Sequence, residues 1–201
     1  ELDGVMNYPQ RRCILDLLTE PQPRSKQAVI RQLMSLRENY PRDFYFNALN
    51  NLGTHDTERI FTTLGENRQK LKIAWDLLFM LPGVPCIYYG DEIGMKGGKD
   101  PANRGFFAWN RIDPQILDYV SQWINRRKRQ KVLQSGDLVL GASENCLAVI
   151  RYDQITLGLY VTNLSNQPRK IEDAAFTFIH DDQDLGEYIF SELGEQQLAP
   201  Y

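Results

Sequence analysis

Cysteine is scarce in this 201-residue chain, and the three present, Cys13, Cys86 and Cys146, are far apart and odd in number. No Cys-x-x-Cys pair occurs, which removes the usual zinc and dithiol redox motifs, and no cofactor or metal is expected. Free buried thiols in a reducing compartment are the reading, so a cytoplasmic location is expected. An excess of one charge is lacking as well. With 23 Lys and Arg against 26 Asp and Glu the net charge is -3, and the isoelectric point lies near 5.5. Neither nucleic acid nor an anionic membrane surface is attracted by such a balance. No apolar run approaches the length of a bilayer span. Internal repeats and low-complexity linkers are missing too, so parts of different pattern should pack closely. An initiator Met and a signal-peptide pattern are also missing at Glu1, and the chain reads as a piece of something longer.

What is present is an ordinary globular composition, 42% hydrophobic and 24% charged, which is enough to bury a core. One stretch organises the rest. From Phe44 to Leu52 the residues are aromatic and apolar enough for a buried strand; Gly53 can relax the backbone, and His55, Asp56, Glu58 and Arg59 follow at once. A second run, Gly83 to Glu92, repeats this layout and ends in Gly90, Asp91 and Glu92. Two short strands with a helix between them predict a βαβ unit of a parallel sheet, whose chemistry belongs at the carboxyl ends of the strands.

Around this unit the pattern is regular. Leu2 to Tyr8 reads as a short strand stopped by Pro9, followed by a helix from Gln10 to Leu18. Ser25 is placed to cap a helix over Lys26 to Glu38, which carries Val29, Ile30, Leu33, Met34 and Leu36 as an apolar stripe. Asn67 to Leu81 reads as a strong helix, and four glycines between Gly94 and Gly105 predict a loop over the strand ends. Asp113-Pro114 starts a helix of about twenty residues by the same start and stop signals. Its basic end, Asn125 to Lys131, fits a solvated helix terminus better than a nucleic-acid patch. Beyond Gly136, short alternating runs over 137–141, 146–152, 155–161, 176–179 and 187–190 predict a small antiparallel β-domain. The boundary separates residues 1–135 from 136–201.

Asn50 to Arg59 resembles the fourth conserved region of the α-amylase family of glycoside hydrolases, where a His-Asp pair ends the seventh strand of a (β/α)8 barrel. Leu81 to Met95 is similar to the eighth strand, Asp100 to Arg104 to the loop after it, and Leu2 to Pro9 to the sixth strand in the neopullulanase and cyclomaltodextrinase branch. Four motifs in the right order, with helix-sized spacers, make the resemblance specific. It implies an α/β then all-β fold, the C-terminal part of a (β/α)8 TIM barrel followed by a small antiparallel β-sandwich.

The resemblance also implies residue roles. Retaining cleavage of an α-glucosidic bond needs a nucleophile and a general acid around an oxocarbenium-like sugar, and in this family a third carboxylate holds the sugar 2- and 3-hydroxyls. Asp56 matches that transition-state stabiliser and His55 its neighbouring donor. Tyr8 would offer a stacking ring, and Asp100 with Arg104 would hold glucose units on the non-reducing side. Gly105 stands where the neopullulanase branch commonly has a second Arg. The nucleophile and acid belong to the fourth and fifth strands and have no counterpart here.

Glu58 and Arg59 are read as a scaffold ion pair, Asp91 and Glu92 as shaping the strand end, and Tyr88, Tyr89 and Trp109 as packing. The expected partner is an α-glucan oligosaccharide, cleaved by the parent enzyme at α-1,4 bonds, with α-1,6 bonds as the further linkage to test. The alternative is a noncatalytic sugar-binding or subunit-pairing relative. Three strands cannot close a barrel, so a homodimer covering the open face is expected.

Overall fold

Short polar residues set the helix starts. Asn7, Ser25, Asn67 and Asp113 each accept a hydrogen bond from a backbone N–H of the first turn, at the heads of α1 (Tyr8–Leu18), α2 (Lys26–Asn39), α5 (Arg68–Met80) and α6 (Pro114–Arg129). The structure, a computed structural model, describes residues 4–19, 24–165, 167–170, 176–179 and 197–198. The strand expected at 187–190 lies outside the described residues.

Two of the expected strand runs are shorter than the sequence suggests. Phe44 to Leu52 divides into a helical turn, α3 (Arg42–Asn47), and a three-residue strand, β1 (Leu49–Asn51). The aromatics explain this. Tyr40 stacks on Phe44 at 5.3 Å and the Arg42 guanidinium lies 4.2 Å from the Phe46 ring. Both contacts have the i,i+4 spacing of a helix, which an alternating strand would break. Strand β2 (Val84–Cys86) pairs with β1 in parallel, Leu49 opposite Val84 and Asn51 opposite Cys86. The run at Gly4 to Tyr8 adds only a parallel bridge from Met6 to Leu49. Pro9 falls in the first turn of α1, where its missing N–H costs nothing, and so starts that helix instead of stopping a strand. The short helix α4 (Ile60–Thr63) follows β1 and precedes α5.

The long helix expected after Asp113 breaks at Gln130, giving α6 and α7 (Lys131–Ser135). Its basic end is not wholly solvated. Arg127 is turned inward, donating to the Phe79 and Gly83 carbonyls at 2.5 Å each, and so closes the carboxyl end of α5. Burial lowers its pKa to about 10.

After Gly136 the chain forms β3 (Asp137–Ala142), β4 (Cys146–Tyr152) and β5 (Leu157–Asn163), then β6 (Arg169–Lys170), β7 (Thr177–Phe178) and β8 (Gln197–Leu198). The first three and β7 make a four-stranded antiparallel sheet in the order β5-β4-β3-β7, and β6 pairs with β8. Strand β5 starts two residues later than expected, leaving Ile155 in an exposed turn. Alternation divides the sheet. Leu138, Leu140, Leu147 and Val149 join the main core with α1, α2, α5 and α6, while Val139, Ala148, Ile150 and Phe178 form a second cluster. The main core therefore runs without a break through both halves of the chain.

Candidate active site

The site is built where β1 ends. Gly53 is required there by crowding: a Cβ would stand 2.0 Å from an Asp91 carboxylate oxygen, so the end of β1 touches the turn after β2 through this glycine. Thr54 to Thr57 then folds into a turn held by its own hydroxyls. Thr54 N–H donates to Thr57 Oγ1 at 3.0 Å, Asp56 N–H to Thr54 Oγ1 at 3.2 Å, and Thr57 N–H to the Thr54 carbonyl at 3.3 Å. This turn lifts His55 and Asp56 into solvent, their side chains 57% and 61% exposed. His55 Nε2 lies 3.3 Å from Asp56 Oδ1.

All five residues singled out in the sequence are linked. Arg104 Nε is 2.8 Å from Asp100 Oδ1 and donates to the His55 carbonyl at 3.2 Å, while its Nη2 stands 3.8 Å from Asp56 Oδ1. The Tyr8 hydroxyl is 3.3 Å from Thr54 Oγ1. Tyr8 is the first residue of α1, not the last of a strand, and its ring is 37% exposed. The result is an open patch with two carboxylates, a guanidinium, an imidazole and a phenol ring. It has donors and acceptors for vicinal hydroxyls and one apolar face for a sugar ring.

Beneath the patch lies a charged floor. Arg59 is completely buried and pairs with Asp91 at 3.2 Å, not with Glu58 as its sequence neighbour suggests. Its guanidinium sits 4.3 and 4.5 Å from the Tyr88 and Tyr89 rings and donates to the Tyr89 carbonyl. Nε and Nη2 have no hydrogen-bond acceptor, so the rings are what they meet. Tyr89 in turn donates its hydroxyl to the Gly105 carbonyl at 2.7 Å, holding the loop that carries Arg104. Asp91 does not shape the strand end itself: it opens a 3-10 turn, Asp91–Ile93, beyond the end of β2 at Cys86. Burial raises its pKa to about 7 against the pull of Arg59, whose positive charge favours the carboxylate. Trp109 does not pack inside: it is 78% exposed, its ring 4.4 Å from that of Phe107.

Two side chains that sequence reasoning passed over hold the site together. Arg11, one turn after Tyr8, donates from Nε to the Leu52 carbonyl at 2.5 Å. Asn103 is fully buried and donates to the carbonyls of His55 and Thr57, each at 2.8 Å. The loop containing it was legible, but an Asn between Asp100 and Arg104 carries no sign of pointing inward. Among the described residues, no group of three or more His, Cys, Asp or Glu side chains could hold a metal ion.

Residues 1–138 match the family described as "Alpha amylase, catalytic domain". The chain is 33% identical over 176 residues to a cyclomaltodextrinase of Geobacillus thermopakistaniensis, a match covering 85% of the chain and 30% of that protein. It is 35% identical over 160 residues to an amylopullulanase of Thermoanaerobacter thermohydrosulfuricus, covering 68% and 11%. Among solved structures, the maltogenic amylase of S. marinus superposes with a TM-score of 0.79 at 30% identity, over 83% of this chain and 25% of that one. A cyclic α-maltosyl-(1→6)-maltose hydrolase from Arthrobacter globiformis, in complex with its cyclic sugar, gives 0.84 at 26% identity over 98% and 43%. The chain thus spans about 30% or less of the length of these two curated relatives. A family match over residues 1–138 of 201, with relatives above 30% identity along most of the sequence, shows that the chain belongs to the α-amylase family.

Proposed function

We propose that the chain supplies the sugar-gripping part of a retaining glycoside hydrolase that cleaves α-glucosidic bonds in maltodextrins, cyclomaltodextrins or pullulan. The observation carrying this reading is that His55, Asp56, Asp100 and Arg104 meet in one exposed patch at the end of β1, with Tyr8 anchored to the same turn. Nothing in the packing of the core requires those polar groups to converge there. Asp56 accepts from the 2- and 3-hydroxyls of a distorted glucose unit, and the contact strengthens as positive charge develops at the anomeric carbon. His55 donates to the same unit, Asp100 and Arg104 hold the next one, and Tyr8 stacks against a sugar face.

Residues 1–135 are, on this reading, strands six to eight of a (β/α)8 barrel with their helices, and residues 136–201 the β-sandwich that follows. The nucleophile and general acid lie on preceding strands of the parent enzyme, so this chain by itself hydrolyses nothing. Supporting this, Leu49 and Val84 stand side by side on the β1-β2 pair, 40% and 44% exposed. In the isolated chain that apolar face is covered by a second copy in a symmetric dimer. The buried free thiols Cys13 and Cys146 fit a reducing, cytoplasmic setting.

An assay of the purified chain with maltoheptaose, β-cyclodextrin and pullulan tests the division of labour. No reducing sugar above the blank is expected from any of the three. Turnover that disappears in Asp56→Asn would overturn it by showing a complete catalytic set within these residues.

A further inference from the structure

Asn103 sits between two exposed charged residues, yet its own side chain is fully buried and no core contact explains an amide there. Both of its bonds go to one place. Nδ2 donates to the carbonyls of His55 and Thr57, 2.8 Å each, the residues on either side of Asp56. The two hydrogens of a carboxamide nitrogen lie in one plane at a fixed angle, so two carbonyls held by the same nitrogen are fixed relative to each other. The bonds accepted by the Thr54 and Thr57 hydroxyls stiffen the turn internally, and Thr54 Oγ1 also meets the Tyr8 hydroxyl at 3.3 Å, but none of these ties the turn to the loop bearing Asp100 and Arg104. Asn103 does, with Arg104 Nε adding a third bond to the His55 carbonyl. The Asn103 Oδ1 is buried without a hydrogen-bond partner. A position that tolerates such an orphaned oxygen is selected for its donors, since an apolar side chain would fill the space at lower cost.

We propose that Asn103 is the positioning residue of the His55–Asp56 pair. Its carboxamide clamps the turn around Asp56 to the loop bearing Asp100 and Arg104, so that the two halves of the patch meet a sugar at one fixed spacing. The consequence for sugar affinity rests on the α-glucan reading above; the clamp itself does not.

Two variants separate donation from space-filling. Asn103→Asp keeps the shape and loses both donors, and Asn103→Ala loses both shape and donors. Three readouts are taken on the full chain: hydrogen exchange of the Asp56 and Thr57 amides and the His55 imidazole signals by NMR, exchange of the β4 amides, and the affinity for maltotriose. In both variants, exchange at Asp56 and Thr57 should speed at least about tenfold and the His55 signals should move, while β4 protection holds and maltotriose affinity falls at least about tenfold. Wild-type behaviour of Asn103→Asp would show that Asn103 only fills space and would overturn the proposal. So would collapse of β4 protection in both variants, which marks a folding role, or wild-type affinity in a chain that binds maltotriose. If the wild-type chain binds no maltotriose but the exchange and His55 changes appear, the α-glucan reading fails and the clamp stands.

Discussion

At the scale of single residues, burial decides what the charged groups do. Asp56 is exposed and free to meet a ligand, whereas Asp91, in the turn that follows the neighbouring strand, is 1% exposed and held against Arg59. Its pKa of about 7 has a measurable consequence. In the unfolded chain the carboxyl titrates near 4, so between about pH 4 and pH 7 the folded state carries the extra proton. Stability then falls as pH rises through that window, at up to about 1.4 kcal/mol per pH unit. Asp91→Asn keeps an acceptor for Arg59 and removes the titration. Urea unfolding at pH 4.5 and 7.5 should show the variant losing less stability between the two pH values than the parent, by roughly 2–4 kcal/mol; equal losses would mean that Asp91 is ionised across the window. Asp76 shows the same logic inside the helix layer. Burial raises its pKa although Trp123, Tyr160 and Tyr119 all donate to it, the first two at 2.6 and 2.8 Å.

At the scale of elements, the helices were legible because their signals are local. Ser25, Asn67 and Asp113 mark three starts within a residue, and the apolar stripe of α2 is the buried one. The strands of the first half were overread, while 146–152 is β4 as expected, since aromatic runs such as Phe44 to Phe46 suit a helical turn as well as a strand and only tertiary contacts decide between them. The long cationic side chains were hardest to read. Nothing at Arg127 or Arg151 announces burial, yet Arg151 is 0% exposed on β4, on the side that also carries Leu147 and Val149. It donates to the carbonyls of Met80 and Leu133 at 2.6 and 2.9 Å, and to that of Gly136 at 2.8 Å. One guanidinium thus ties the end of α5, helix α7 and the sheet together, at a desolvation cost that lowers its pKa to about 9. Arg151→Met fills much of the volume but takes the donor from four carbonyls, those of Met80, Leu133, Gly136 and Asp137. A loss of at least about 3 kcal/mol in urea unfolding is expected. A loss below about 1 kcal/mol would show that water replaces the guanidinium.

For the molecule as a whole, the main core continues from α1 to β4, so the barrel-like and β-rich parts should unfold together in one transition. The exposed Leu49 and Val84, paired on one face, set the assembly expected of the isolated chain. Analytical ultracentrifugation should give a dimer at micromolar concentration, and Leu49→Lys with Val84→Lys should shift it toward monomer; a wild-type monomer would mean that this face is tolerated in water. The candidate site was legible further than the fold, because His55, Asp56, Asp100 and Arg104 are chemistry-bearing residues in short motifs, while the Asn103 clamp depends on a contact across 46 to 48 residues. The central claim is that this patch grips an α-linked glucose chain through Asp56. NMR titration of the chain with maltotriose, beside cellotriose as the β-linked control, tests it most directly. Maltotriose should shift the His55 and Asp56 signals in a saturable way, cellotriose should not, and Asp56→Asn should weaken binding at least about tenfold. Identical titrations for the two sugars, or for the parent and Asp56→Asn, would contradict it.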